Sequence, residues 1–268
     1  MKVQDLYIYP VKSLGGIRLD EALALQKGFE FDRRWMLVDE SGMFISQRVE
    51  HRLALLQTSI NDDSITIQHK QNPEISISVP FQQSAIECMV VSVWDDTVEV
   101  NHLSREMDDW FSKFLGKSCR FVYQPETGKR PVGLKYAENH EQVSFADAFP
   151  YLLISQASLD ELNSRLAVPV PMNRFRPNIV VAGTLPFEED TWAEIQVGEV
   201  RFKVAKPCAR CVLTTVDQET GTKGLEPLAT LAQYRSIDNK VMFGQNLIAM
   251  NQGVIRAGDP VEVLSMKS

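Results

Sequence analysis

Alternation of apolar and polar residues with a period of two is the feature that most limits how this chain can fold. "SITIQH" (64–69) and "ISISV" (75–79) each alternate, with the polar "KQNPE" between them. Side chains of a strand point to opposite faces in turn, so such segments read as half-buried β-strands. "MVVSV", then "WDD", then "TVEV" (89–100) predicts a hairpin, and "EIQVGEVRFKVA" (194–205) predicts another that turns near Gly198. "LIAMNQGVIRAGDPVEVL" (247–264) predicts two strands about Asn251-Gln252-Gly253, with a further turn at Gly258-Asp259-Pro260.

Helical periodicity is confined to three places. Ser104 can cap a segment in which Met107, Trp110, Phe111, Phe114 and Leu115 share one face, with Gly116 as its stop. Ser158 and Glu161 form a capping-box pattern ahead of Leu159, Leu162 and Leu166. Pro227 suits a first helical turn leading to Leu228, Leu231 and Tyr234. The pattern predicts a β-rich, barrel-based α+β fold with a few packed helices. Its seam is expected in "YQPETGKRPVGLKYAENHEQ" (123–142), which would otherwise be a long functional loop.

A chain of 268 residues can bury one large core or two modest ones. Its net charge of −7 excludes a general nucleic-acid binder, which presents a basic domain, but leaves room for a local basic pocket. No apolar run approaches the roughly 20 residues that span a bilayer. "MKVQDLYIYP" lacks the apolar core and cleavage site of a signal peptide, so a cytoplasmic protein is expected. Thiols stay reduced there, so Cys88, Cys119, Cys208 and Cys211 are not expected to form a disulfide framework.

The segment that bears most on chemistry is "KPCARCVLTTVD" (206–217). A zinc site needs four ligands, yet Cys88 and Cys119 are isolated, and His51, His69, His102 and His140 show no ligand spacing. A thioredoxin-like dithiol opens a helix, whereas Val212-Leu213-Thr214-Thr215-Val216 reads as a strand. The bland alternative is that Cys208 and Cys211 are small buried hydrophobes. Against it stand Lys206 and Arg210, the basic company that suits a thiolate. One thiolate in a basic pocket suggests a metal that brings its other ligands with it. The residues alone go no further.

Other blocks carry basic or polar groups at turn-like positions. "YPVKSLGG" (9–16) sets Lys12 and Ser13 between a strand and two glycines, where an ammonium, a hydroxyl and backbone N–H groups could meet a phosphate. It lacks Walker spacing, and an ordinary turn explains it equally. "FDRRWMLVD" (31–39) heads a strand with Arg33 and Arg34, of which alternation sends at most one to a given pocket. "MNRFRPNIVV" (172–181) puts Arg174 and Arg176 on one face if extended, followed by Asn178. "FADAFPYLLISQ" (145–156) sets Asp147 beside aromatics and Ser155 at the end of an apolar strand.

Taken in order, "IYPVKS", "FDRRWMLVD", "SFADAFPYLLIS", "FRPNIVV", "KPCARCVLTTVD" and "FGQNLIA" with "GVIRAGDPVEVL" resemble the MOSC family, named for the C-terminus of molybdenum cofactor sulfurase. The resemblance runs from Tyr9 to Leu264 and is closest to members that reduce amidoximes and 6-hydroxylaminopurine. It implies a MOSC β-barrel domain at 121–268, packed with a smaller N-terminal β-barrel-like domain at 1–120. It also implies a molybdenum cofactor, with Cys211 supplying a thiolate to the metal and the pterin dithiolene supplying two sulfurs. Lys12, Ser13 and Arg33 would bind the phosphate-bearing end of the pyranopterin. Arg176, Asn178, Asp147 and Ser155 would lie at the same pocket, with Arg210 and Cys208 flanking the metal ligand.

The implied reaction is two-electron reduction of a small N-hydroxylated substrate, whose oxygen leaves as water. Some bacterial members carry a plant-type ferredoxin domain. No C-x4-C-x2-C spacing occurs here, so the resemblance implies an external donor protein, a ferredoxin- or flavodoxin-like reductase system. Neither nucleic acid nor membrane is an expected partner. The competing functions are a carrier of the molybdenum cofactor or of sulfur, without reductase turnover, and a plain binding module with inert thiols.

Overall fold

The computed structural model describes residues 1–133, 135–137 and 139–267. Among the described residues three α-helices accompany several β-sheets, so the chain is a β-rich α+β fold. No helix among them is long and apolar enough to cross a membrane.

The largest sheet has nine strands. It runs from Val261–Met266 through Trp192–Val197, Val200–Arg210, Lys240–Ala249, Tyr151–Ser155, Ile179–Ala182 and Lys2–Ile8 to Ile17–Leu19, with Ser236–Ile237 paired beside Lys240–Ala249. The expected hairpin about Gly198 forms, with Val197 opposite Val200 and Gly198 at φ 57. Val3 N donates to Asp259 O at 2.9 Å and Val261 N to Met1 O at 3.1 Å. These bonds tie the turn before the last strand to the first strand and bring the two ends of the sheet together in a barrel-like curl. Its interior is filled by Leu6, Tyr151, Trp192, Phe202 and Leu247, all 0–1% exposed, and their buried neighbours. Burying each such side chain stabilises the fold by about 1.5–3 kcal/mol.

A second core lies in the N-terminal half, around Trp35, Leu37, Leu53, Ile67, Phe111 and Phe121. Two smaller sheets build it: Trp35–Val38, Arg120–Tyr123, Asp96–His102 and Glu87–Val93, and the meander Leu56–Ile60, Ser64–His69, Asn72–Pro80. Helix α1 (Arg105–Leu115) buries Met107, Phe111 and Leu115, one face at helical spacing, and ends at Gly116 with φ 67. Ser104 precedes it as expected, although its side chain makes no cap bond. The halves interlock. Lys2–Ile8 lies in the nine-stranded sheet, and Gly253–Arg256 pairs with Glu21–Leu25 rather than with the strand before it.

Three sequence expectations are corrected. Val212–Thr215 is a 3-10 turn, not a strand: the Thr214 and Thr215 hydroxyls bond back to the Cys211 and Val212 carbonyls, a local alternative to the sheet ladder. Helix α2 (Gln156–Arg165) is capped by Ser155 rather than Ser158, because Ser158 gives its hydroxyl to the buried Glu189 carboxylate. Met172–Arg174 is also a 3-10 turn, and Arg176 has φ 56, so Arg174 and Arg176 are not neighbours on an extended face. The remaining helix, α3 (Leu228–Tyr234), follows Pro227 as the sequence suggests.

Candidate functional site

One cavity of about 220 Å³ opens between the two halves. Nine predicted residues line it: Lys12, Ser13, Arg33, Asp147, Arg176, Asn178, Cys208, Arg210 and Cys211. Six basic side chains (Lys12, Arg33, Arg48, Arg176, Lys206 and Arg210) face a single acidic one, Asp147. In a chain of net charge −7 this is a local inversion of sign. Cations gathered on low-dielectric walls concentrate anions.

The Lys12–Ser13 loop is held by main-chain bonds. Lys12 N donates to Trp35 O at 2.8 Å and Gly15 N to Leu56 O at 2.8 Å. Gly16 is required by close approach, since a Cβ there would sit 2.4 Å from the Tyr9 ring. That ring has a guanidinium 4.2 Å from its centroid from each of Arg33 and Arg176. Arg33 is anchored on both oxygens of buried Asp32, at 2.8 and 2.6 Å, and Arg176 donates to Leu14 O at 2.7 Å. Burial and the nearby Arg33 push the Arg176 guanidinium down to about 10, which leaves it charged at neutral pH.

Ser13, Arg33, Trp94 and Arg176 all have positive φ, between 50° and 72°, and all line this cavity. Each such non-glycine residue costs about 1–3 kcal/mol, and such strain clusters where function requires it. Arg34 turns away to Gln124 O and Glu126, so one arginine of the pair reaches the cavity, through the left-handed turn at Arg33 rather than by strand alternation, since the strand begins at Trp35.

At the other wall the strand Val200–Arg210 delivers Cys208 and Arg210, and Cys211 caps the 3-10 turn. Arg210 donates to Phe175 O at 2.6 Å and to Cys208 Sγ at 3.0 Å, while its buried Nε has no partner among the described residues. Cys211 Sγ accepts from Arg48 Nε at 3.1 Å. Arg48 also donates to Asp147 Oδ2 at 3.0 Å, and Lys12 Nζ donates to Asp147 Oδ1 and Phe145 O, both at 2.6 Å. Burial would raise the Asp147 carboxyl, but Lys12 and Arg48 outweigh it and hold it well below the usual carboxylate range. Among the described residues no three His, Cys, Asp or Glu side chains converge as metal ligands.

Burial pushes the Lys12 ammonium down to about 8, against the opposing pull of Asp147. Below that pH the cation is present; above it the charge is lost. Affinity of the cofactor-free protein for inorganic sulfate is therefore expected to fall as pH rises through 8, approaching about tenfold per unit. Lys12→Arg should flatten this profile, and calorimetric titration between pH 7 and 9 reads it. The sign for stability is opposite. An unfolded lysine keeps its proton to higher pH, so the unfavourable burial of Lys12 is fully felt below pH 8 and relieved above it.

Ser155 stands apart from the cavity. Its Oγ accepts from Ser158 N at 3.1 Å and bonds the Ser158 hydroxyl at 2.7 Å, which makes it a helix cap. Ser155→Ala is expected to lower unfolding free energy by about 1 kcal/mol, measurable by denaturant titration. Asn178 lines the cavity but spends its amide on Leu152 N and Tyr7 O, tying strands together. Sequence reasoning missed Arg48, Phe44 and Trp94. Arg48 sits in "SQRVEH", which carries no motif. Trp94 did leave a trace: an aromatic residue occupied a hairpin turn that favours Gly, Asn or Asp.

The MOSC domain model matches residues 140–262, and the MOSC N-terminal beta barrel domain model matches residues 1–118. Mitochondrial amidoxime-reducing component 1 from Mus musculus is 35% identical over 98% of this chain and 82% of its own length. The Homo sapiens component 1 is 33% identical with the same coverage, and the Rattus norvegicus component 2 is 35% identical over 97% and 82%. These names overturn the expectation of a cytoplasmic protein. That expectation rested on the lack of a signal peptide and of a long apolar run, and neither absence specifies a compartment. With both family models matched in chain order and relatives aligned along almost all of its length, the chain belongs to the MOSC family.

Proposed function

We propose that the protein reduces N-hydroxylated compounds, amidoximes and hydroxylaminopurines, with a molybdenum cofactor held at Cys211. The observation that carries this reading is one cavity in which six basic side chains and two thiols meet a single carboxylate. The relatives named as amidoxime-reducing components support the reaction class. The donor set fits the group: a soft sulfur suits a metal already held by dithiolene, and ammonium and guanidinium donors suit a phosphate. In this reading the chain divides at 120/121, and both parts contribute to one pocket.

Lys12, Ser13, Arg33 and Arg176 hold the phosphate-bearing end of the cofactor. Asn178 fixes the strand beside them, and the partnerless Nε of Arg210 supplies a further donor. Phe149 and Phe175 exclude water from the walls, which strengthens each charge interaction inside. When bound, the cofactor supplies the two electrons that break the N–O bond. Two protons complete the release of water, and a separate donor protein restores the electrons.

Protein purified from a host that makes the cofactor should contain equimolar molybdenum and pterin. It should also reduce benzamidoxime under an artificial reductant. Absence of both metal and pterin would sink the reading, and cofactor without reduction would favour a carrier role.

A further inference from the structure

Trp94, Arg48 and Asp147 meet at a solvent-exposed part of the cavity. Trp94 is 39% exposed, and the Arg48 and Asp147 side chains are 22% and 55% exposed. The Lys12 and Arg33 side chains, at 7% and 12%, are far less accessible. Deeply buried cations suit a resident ligand, whereas half-exposed groups suit a molecule that enters and leaves.

The guanidinium of Arg48 is held at this opening as a planar amidine would be. Its carbon lies 4.0 Å from the centroid of the Trp94 ring. Its Nη2 donates to Asp147 Oδ2 at 3.0 Å, and its Nε donates to Cys211 Sγ at 3.1 Å. Phe44 meets the Trp94 ring at 4.7 Å and 64°, and the Trp94 N–H donates to Asp147 Oδ1 at 3.3 Å. Aromatic face and carboxylate are thus set together before any ligand arrives. A planar cationic N–C–N unit gains from both, by ring attraction and by a charge-assisted hydrogen bond.

We propose that Trp94 and Asp147 form an amidine-recognition subsite beside Cys211, which Arg48 occupies until an incoming N–C–N group displaces it. This rests on the reading of Cys211 as the reactive end of the pocket. An amidine, the product of amidoxime reduction, is such a cation: one nitrogen takes the place of Nη2 on Asp147 and the other that of Nε beside Cys211. The neutral N-hydroxyamidine keeps only a hydrogen bond to Asp147, so the subsite favours the cationic product. Compounds without the N–C–N unit gain nothing from it.

Benzamidine tests the subsite by calorimetric titration, since it has the N–C–N unit but no N–O bond and requires neither metal nor turnover. Arg48→Ala should bind benzamidine about tenfold more tightly than the unmodified chain, because the competing guanidinium is gone. Adding Asp147→Asn or Trp94→Leu to Arg48→Ala should cancel that gain, and neutral benzamide should show none. Arg48→Leu serves in the same role if the alanine variant fails to fold. Equal benzamidine affinity with and without Arg48, or a gain that survives both second substitutions, overturns the proposal. Protein that lacks molybdenum yet shows the Arg48-dependent gain separates this subsite from the proposed reductase function.

Discussion

Cys211→Ala is expected to lower molybdenum retention and benzamidoxime reduction each by more than about 100-fold, a larger loss than removal of an outer partner of a metal ligand brings. The fold should survive, because the side chain is half-buried and its one hydrogen bond is from Arg48. Unfolding free energy should therefore change by less than about 1 kcal/mol. Cys208→Ala is the control. It removes only the sulfur that Arg210 Nη1 donates to, and should reduce metal retention by no more than about tenfold. Metal analysis beside circular dichroism of both variants separates lost ligation from lost structure. A Cys211→Ala protein that keeps its metal and its activity would refute the assigned ligand.

Arg130→Leu is expected to destabilise the chain by about 2–4 kcal/mol, mostly from buried carbonyls left without a donor. Arg130 is 2% exposed and donates to Asp96 Oδ2 at 2.8 Å, Ser144 O at 2.9 Å, Asp147 O at 2.9 Å and Ala146 O. Leucine fills part of the volume but takes this donor from the buried Ser144 and Ala146 carbonyls. The same segment carries Asp147 and the Phe145 carbonyl that binds Lys12, so cofactor retention should fall with stability. Arg130→Lys should not rescue, because one ammonium cannot span the planar fork of contacts. Denaturant unfolding decides the matter, and a loss below about 1 kcal/mol would show that the segment holds itself.

Arg130 also shows where sequence reading stopped. It lies in the polar stretch 123–142, whose composition suits either a seam or a functional loop. Its burial comes from carbonyls that follow it in the chain and from Asp96 on a distant hairpin. Arg48 was hidden for the same reason, since its partners Asp147 and Cys211 lie 99 and 163 residues away. Trp94 could have been flagged by its conflict with the turn it occupies. Ser155 illustrates the reverse error. It belongs to a block that carries the family resemblance, yet its oxygen is committed to capping α2.

Properties that are periodic, local or block-wise were legible in the residues. Alternation over four to eight residues set the strands, spacing of three and four set α1, and six ordered blocks set the family. Each follows from short-range geometry or from residues that can be matched one by one. Which turns meet emerged with the folded chain. It joined Lys2–Ile8 to a sheet built mostly from the C-terminal half, and so brought the Lys12 loop to Asp147 and the Arg48 loop to Cys211. Left-handed backbone at Ser13, Arg33, Trp94 and Arg176 then aimed those groups at one cavity. Closure of a barrel depends on hydrogen bonds between strands distant in sequence, and no local pattern encodes that register. Cys211 thus stands out in its own segment, whereas the amidine-like setting of Arg48 beside it exists only in the folded chain.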